Sequence, residues 1–165
     1  MLLDMSHEPR ANPLDEVERI ATSNEWLFER AREHEITMIV RGSLTDHQVS
    51  VTWMRDIEAL HLACAFELKV PARRRAEAQQ LVLLINEQMW IGHFDLWRED
   101  GLVMYRHALV LAGGLRASGR QCEALLSVAL GACEKFFPAF QFVVWTGKSA
   151  REVLDVALLE TEAEA

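Results

Sequence analysis

From Trp26 to Lys69 the apolar residues fall at every second position. Ile36, Met38 and Val40 alternate with Thr37, Ile39 and Arg41. Val49, Val51 and Trp53 share one face of a further segment, and Leu60, Leu62, Cys64, Phe66 and Leu68 share one face of the next. Opposite that last row stand Ala59, His61, Ala63 and Glu67. Successive side chains of a strand point to opposite faces, so a period of two marks strands with one buried face. With Trp26–Arg32 as an opening strand and 42–46 as a turn, this region is predicted to be an antiparallel meander.

Helical punctuation surrounds the meander. Asn12-Pro13 is a helix start, Asn12 as cap and Pro13 at the first helical position, with Asp15 and Glu16 at the positive helix end. Leu14, Val17, Ile20 and Ala21 keep helical spacing, giving a helix over 13–23. Pro71 opens a second helix over 71–90 with the stripe Leu81, Leu84, Ile85 and Met89, and Gly92 ends it. His93–Arg98 and Leu102–Leu111 form two more strands about a Glu99-Asp100-Gly101 turn, where Gly101 supplies a positive φ. Ser118 caps a third helix carrying Cys122, Leu125, Leu126, Ala129, Cys133, Phe136 and Phe137, and Pro138 is expected to kink or restart it. Residues 139–145 suit a buried helix or a strand; helix is favoured because Gly147 reads as its stop. Ser149 with Glu152 is a capping box for a last helix over 149–160. The expectation is one α+β domain over 12–160, with an antiparallel sheet of five to six strands packed against helices in the order α-β-β-β-β-α-β-β-α-α. Residues 1–11 are expected to be a disordered lead-in and 161–165 a frayed acidic tail.

The formal charge of −8 and pI of about 5.2 disfavour phosphate backbones and anionic lipid, so neither nucleic acid nor membrane is an expected partner. No apolar run in the sequence approaches the length of a membrane span. Asp4 and Glu8 argue against a signal peptide. Three cysteines on apolar stripes suit a reducing compartment, and the cytoplasm is the expected location.

The runs Val70-Pro71, Leu84-Ile85-Asn86-Glu87, Gly92-His93-Phe94 and Asp100-Gly101-Leu102-Val103-Met104-Tyr105-Arg106 resemble the YbjN family of bacterial sensory transduction regulators. The segment from Phe137-Pro138-Ala139-Phe140 to Trp145, followed by Gly147-Lys148-Ser149, is similar to its alphaproteobacterial branch. The resemblance extends over about residues 13–160. It implies a fold similar to that of type III secretion chaperones and a small, often dimeric, chaperone-like regulator. It brings no catalytic residue, and neither a metal nor a cofactor is expected.

The residues themselves lead no further toward catalysis. His93 and His107 could approach each other across a hairpin, yet no close His/Cys/Asp cluster is expected. Cys64, Cys122 and Cys133 read as small buried hydrophobes. Arg106 requires a carboxylate partner and Asn86 reads as a residue satisfying backbone. Arg73, Arg74 and Arg75 oppose the dipole of the helix they begin; acidic neighbours such as Glu67 or Glu77 offset them, or they face an anionic patch on a partner. The strand Leu102–Leu111 is apolar on both sides, with Leu102, Met104 and Val110 on one and Val103, Tyr105, Leu109 and Leu111 on the other. The second face needs a cover, from Phe140–Trp145 or from a partner. Trp53, Trp97 and Tyr105, with the arginine trio, are the candidate partner-binding residues. The expected function is a non-enzymatic, homodimeric protein-binding regulator with a protein client. The alternative is a small-molecule sensor with a pocket between sheet and helices.

Overall fold

A computed structural model describes residues 12–163; the expected lead-in lies outside them, as do the last two residues of the expected tail. The first helix, α1, is Leu14–Ser23. Asn12 Oδ1 accepts the Leu14 N–H at 3.0 Å and so supports the helix start, but Pro13, with helical angles, holds the cap position expected of Asn12, and the helix begins one residue later than expected. Strands β1 (Leu27–Arg32), β2 (Glu35–Arg41), β3 (Asp46–Met54) and β4 (Ala59–Lys69) follow. Next come α2 (Arg75–Asn86), β5 (His93–Trp97), β6 (Leu102–Val110), α3 (Gly119–Thr146) and α4 (Ala150–Ala163).

All strand pairs are antiparallel, in the order β1-β2-β3-β4-β6-β5. Register places Ile36 against Val51, Val51 against Leu62, Val49 against Cys64 and Cys64 against Tyr105. These residues therefore form one continuous face, and all of them are buried. The helices cover that face. Phe66 meets Phe137 and Phe140 of α3 at 5.1 and 5.7 Å between ring centroids, while Phe94 meets Phe136, Phe140 and Tyr105. Edge-on aromatic packing of this kind adds to the stabilisation by area alone.

Two helices depart from expectation. Pro71 stays extended and Ala72–Arg74 form a short 3-10 turn, so α2 begins only at Arg75. It ends at Asn86, because that side chain turns to β5: Phe94 N–H donates to Asn86 Oδ1 at 2.8 Å and Asn86 Nδ2 donates to Phe94 O at 3.0 Å. The third helix runs unbroken through Pro138 to Thr146, and Gly147 at φ 66° is its left-handed stop. Residues 139–145 are thus helical. By length and composition α3 is long and apolar enough to cross a membrane, contrary to the expectation from the sequence. Its apolar residues Cys122, Leu126, Ala129, Cys133, Phe137 and Phe140 form a buried stripe of the core. The Ser118–Gln121 and Ser149–Glu152 capping boxes start α3 and α4.

Candidate functional site

With the helices on one side, the described chain leaves the opposite face of the sheet without a helix. The segment Phe140–Trp145 does not cover it: Phe140 packs on Phe66 and Phe94, on the same side as Tyr105. Alternation sends Leu27, Thr37, Ile39, Gln48, Ser50, Ala63, Ala65 and Met104 to the open side. There they line most of a trough of about 760 Å³. Small side chains at Ser50, Ala63 and Ala65 make its floor, and the apolar Leu27, Ile39 and Met104 stand about them. The trough can take up an apolar side chain or an extended segment.

Beside it lies a polar group on β4, β5 and β6. Arg106 Nη1 contacts Asp95 Oδ2 at 3.1 Å, which is the carboxylate partner its place required. Arg106 Nε lies 3.3 Å from His61 Nε2, and His93 is 3.4 Å from the same Asp95 oxygen. Burial, then the Arg106 charge, then His93 hold the His61 imidazole below its ordinary value. Burial and then His93 do the same for His107, on the helix-covered side.

The structure scatters the candidate partner-binding residues. Trp53 and Tyr105 face the core, 9% and 0% exposed, so neither is presented to a partner. Tyr105 donates its hydroxyl to Ile91 O at 3.0 Å, and burial pushes it up to about 12. A side chain at Gly92 (φ 71°) would collide with this ring. Trp97 is 50% exposed at the end of β5, on the open face opposite Leu102. Arg73 is exposed. Arg74 donates to Val143 O and Lys148 O, both at 2.7 Å, and Arg75 donates to Val70 O and Arg98 O. Val143 O is among the last carbonyls of α3, which have no partner within the helix. The Arg74 cation thus sits at the negative end of α3, and this contact lies beyond the reach of sequence reading. Glu77 is occupied elsewhere, accepting the Ala150 N–H at 3.0 Å at the start of α4.

One grouping contradicts the expectation that no His/Cys cluster exists. His47, Cys64 and Cys133, all buried, bring a ring nitrogen and two sulfurs within 4.8 Å of one another. His47 stands on the covered face two residues before Val49, Cys64 pairs with Val49, and Cys133 is on the α3 stripe above. Glu134 closes the group: its Oε1 is 2.6 Å from His47 Nε2 and accepts the Ser43 N–H at 3.1 Å. Burial pushes the Glu134 carboxyl up, but hydrogen bonds from Ser43 and His47 outweigh it and hold the group below its usual value. Hydrogen bonding with Cys64, then burial, pushes the Cys133 thiol up. The parity of His47 with Val49 and Val51 was the available signal for its burial.

A family model described as "putative bacterial sensory transduction regulator" matches residues 13–142, from the start of α1 well into α3. No curated protein matches the chain.

Proposed function

Because this chain belongs to the YbjN family, whose description carries a regulatory role, we propose that it regulates by binding protein, as a chaperone-like homodimer in the cytoplasm without catalysis of its own. The observation that carries this reading is the uncovered apolar trough. A face of this size with Leu27 and Ile39 exposed is costly to leave in water and characteristic of interaction surfaces. The sheet face would seat an extended client segment or a second copy, and the Arg106–Asp95 pair beside the trough would supply polar contacts at its rim. A ligand pocket between sheet and helices has less support: the opening between β6 and α3 near Ile91, His107 and Leu125 holds about 200 Å³, below the roughly 300 Å³ at which ligand pockets begin.

The test is solution mass by light scattering over a concentration series, with Ile39→Glu and Ala63→Glu placed in the trough. A dimer near twice 18.8 kDa that either substitution turns into a folded monomer supports the reading. A wild-type monomer that binds no hydrophobic dye at any concentration overturns it.

A further inference from the structure

The interior of this protein holds a polar group that the open sheet face does not use. His47 is 1% exposed, and its Nδ1 is buried without a hydrogen-bond partner among the described residues. Buried polar atoms are nearly always satisfied, so an orphan on a ring grouped with two buried thiols asks for an explanation. Glu134 Oε1 already accepts the Ser43 N–H and lies 2.6 Å from His47 Nε2, so the Nε2–H is the donor between them. In the neutral ring that tautomer leaves a lone pair on Nδ1. A carboxylate behind one ring nitrogen and a free lone pair on the other is the arrangement that orients a metal-binding histidine.

From these contacts we propose that His47, Cys64 and Cys133 form a binding site for a thiophilic divalent cation, Zn²⁺ in the first place, with Glu134 orienting the imidazole. Three observations support the assignment. The ligand atoms lie within 4.8 Å of one another, and tetrahedral Zn²⁺ with bonds of about 2.0–2.3 Å spaces its ligands by about 3.5–3.8 Å. Closing the site thus needs side-chain movements of about an ångström. Charge also balances. Binding follows M²⁺ + 2 RSH → M(SR)₂ + 2 H⁺, and the cation with two thiolates and a neutral imidazole is neutral overall. A closed apolar interior tolerates that and little else. Finally, there is a way in: Glu134 is 35% exposed and touches Ser43 in the β2–β3 turn. Solvent can complete the fourth position. Cys122 lies elsewhere on α3 and takes no part.

The ligands come from β3, β4 and α3, so the bound cation would tie the long helix to the middle of the sheet. This inference is independent of the dimer, and neither result depends on the other. The test uses the reduced full-length protein under anaerobic conditions, with Co²⁺ as the spectroscopic probe and Zn²⁺ as its competitor. The expected result is one Co²⁺ per chain with a thiolate-to-metal charge-transfer band and tetrahedral visible bands, displaced by one equivalent of Zn²⁺ with the fold retained. About two protons are released per cation, and the melting temperature rises. Cys122→Ala keeps all of this. Cys64→Ala, Cys133→Ala and His47→Gln each lose the tetrahedral spectrum, and Glu134→Gln weakens binding about 10–100-fold. Should a cysteine variant not fold, His47→Gln and Glu134→Gln carry the test. Absence of the charge-transfer band in reduced wild-type protein overturns the proposal. So does a band that survives in His47→Gln, or one that disappears in Cys122→Ala.

Discussion

Asn86→Ala should cost this protein far more than removal of one amide at a helix end ordinarily does. Asn86 acts as a one-residue strand. It offers β5 an acceptor for the Phe94 N–H and a donor for the Phe94 carbonyl, on the side of β5 that no strand among the described residues pairs. Phe94 is fully buried and its ring touches Tyr105, Phe136 and Phe140. Truncation leaves two main-chain groups without partners in that setting. At about 1–3 kcal/mol for each unsatisfied group, with partial relief from water at the edge, the expected loss is about 2–4 kcal/mol. In a chain of this length about 3 kcal/mol lowers the melting temperature by about 6–12 °C. In urea the midpoint falls by about 1 M or more at unchanged slope. Asn86→Asp makes the reasoning sharper, since it keeps an acceptor for the N–H but faces the Phe94 carbonyl with a second oxygen. It should lose about as much as alanine. The assay is urea unfolding followed by circular dichroism and tryptophan fluorescence together, with exposed Gln80→Ala as the control on the same helix. A loss for Asn86→Ala below about 0.5 kcal/mol, within the range of ordinary surface changes, would refute the account of α2 as the clamp on β5.

Three further outcomes are expected. Phe66→Ala removes a ring that meets both Phe137 and Phe140, and thermal unfolding should show a loss of about 3–5 kcal/mol. Gly42→Ala would drive a methyl into Glu134, the Thr45 carbonyl and His47; a loss of about 1–3 kcal/mol is expected, with exchange of the β2–β3 turn amides accelerated. His61 and His107 both titrate below 6.5 in the folded chain. The unfolded chain therefore binds protons that the folded one refuses, and this part of the stability is present above about pH 6.5 and lost as the pH falls below it. Melting curves at pH 7.5 and 5.5 should show a fall that is smaller in His61→Gln, and an equal fall in both proteins would count against the assignment.

What could be read from the sequence was local. Strand parity depends on neighbours two apart, so the buried faces of β2, β3 and β4 and the two-sided character of β6 were visible before any fold was known. Turns that need a particular backbone angle were equally visible, as at Gly101 and Gly147, both at φ 66°. Arg74 was seen as an anomaly at the start of α2, but its partner carbonyls, Val143 and Lys148, are brought near only when α3 docks. The His47–Cys64–Cys133 group was missed for the same reason. Cys64 and Cys133 are 69 residues apart, and the three meet only through the β3–β4 register and the placement of a helix over both strands. Nor does local pattern tell which apolar face remains bare. It showed that β6 has two, and the position of α3 decided between them.

The strand order also says something about how the chain reaches its native state. Every pairing except one joins strands that are consecutive in sequence, across short turns that close quickly. The exception is β4 with β6, whose partners are separated by the whole stretch from Val70 to Gly101, with α2 and β5 inside it. That closure carries the largest chain-entropy cost in the sheet. It also completes the surface on which Phe136 and Phe140 come to rest. Assembly should therefore proceed from two independently formed pieces, the β1–β4 meander and the β5–β6 hairpin with α2, and their joining sets the pace. Until they join, both the β4 edge and the aromatic interior stand open, so that interval is when this chain is most exposed to mispairing with its neighbours.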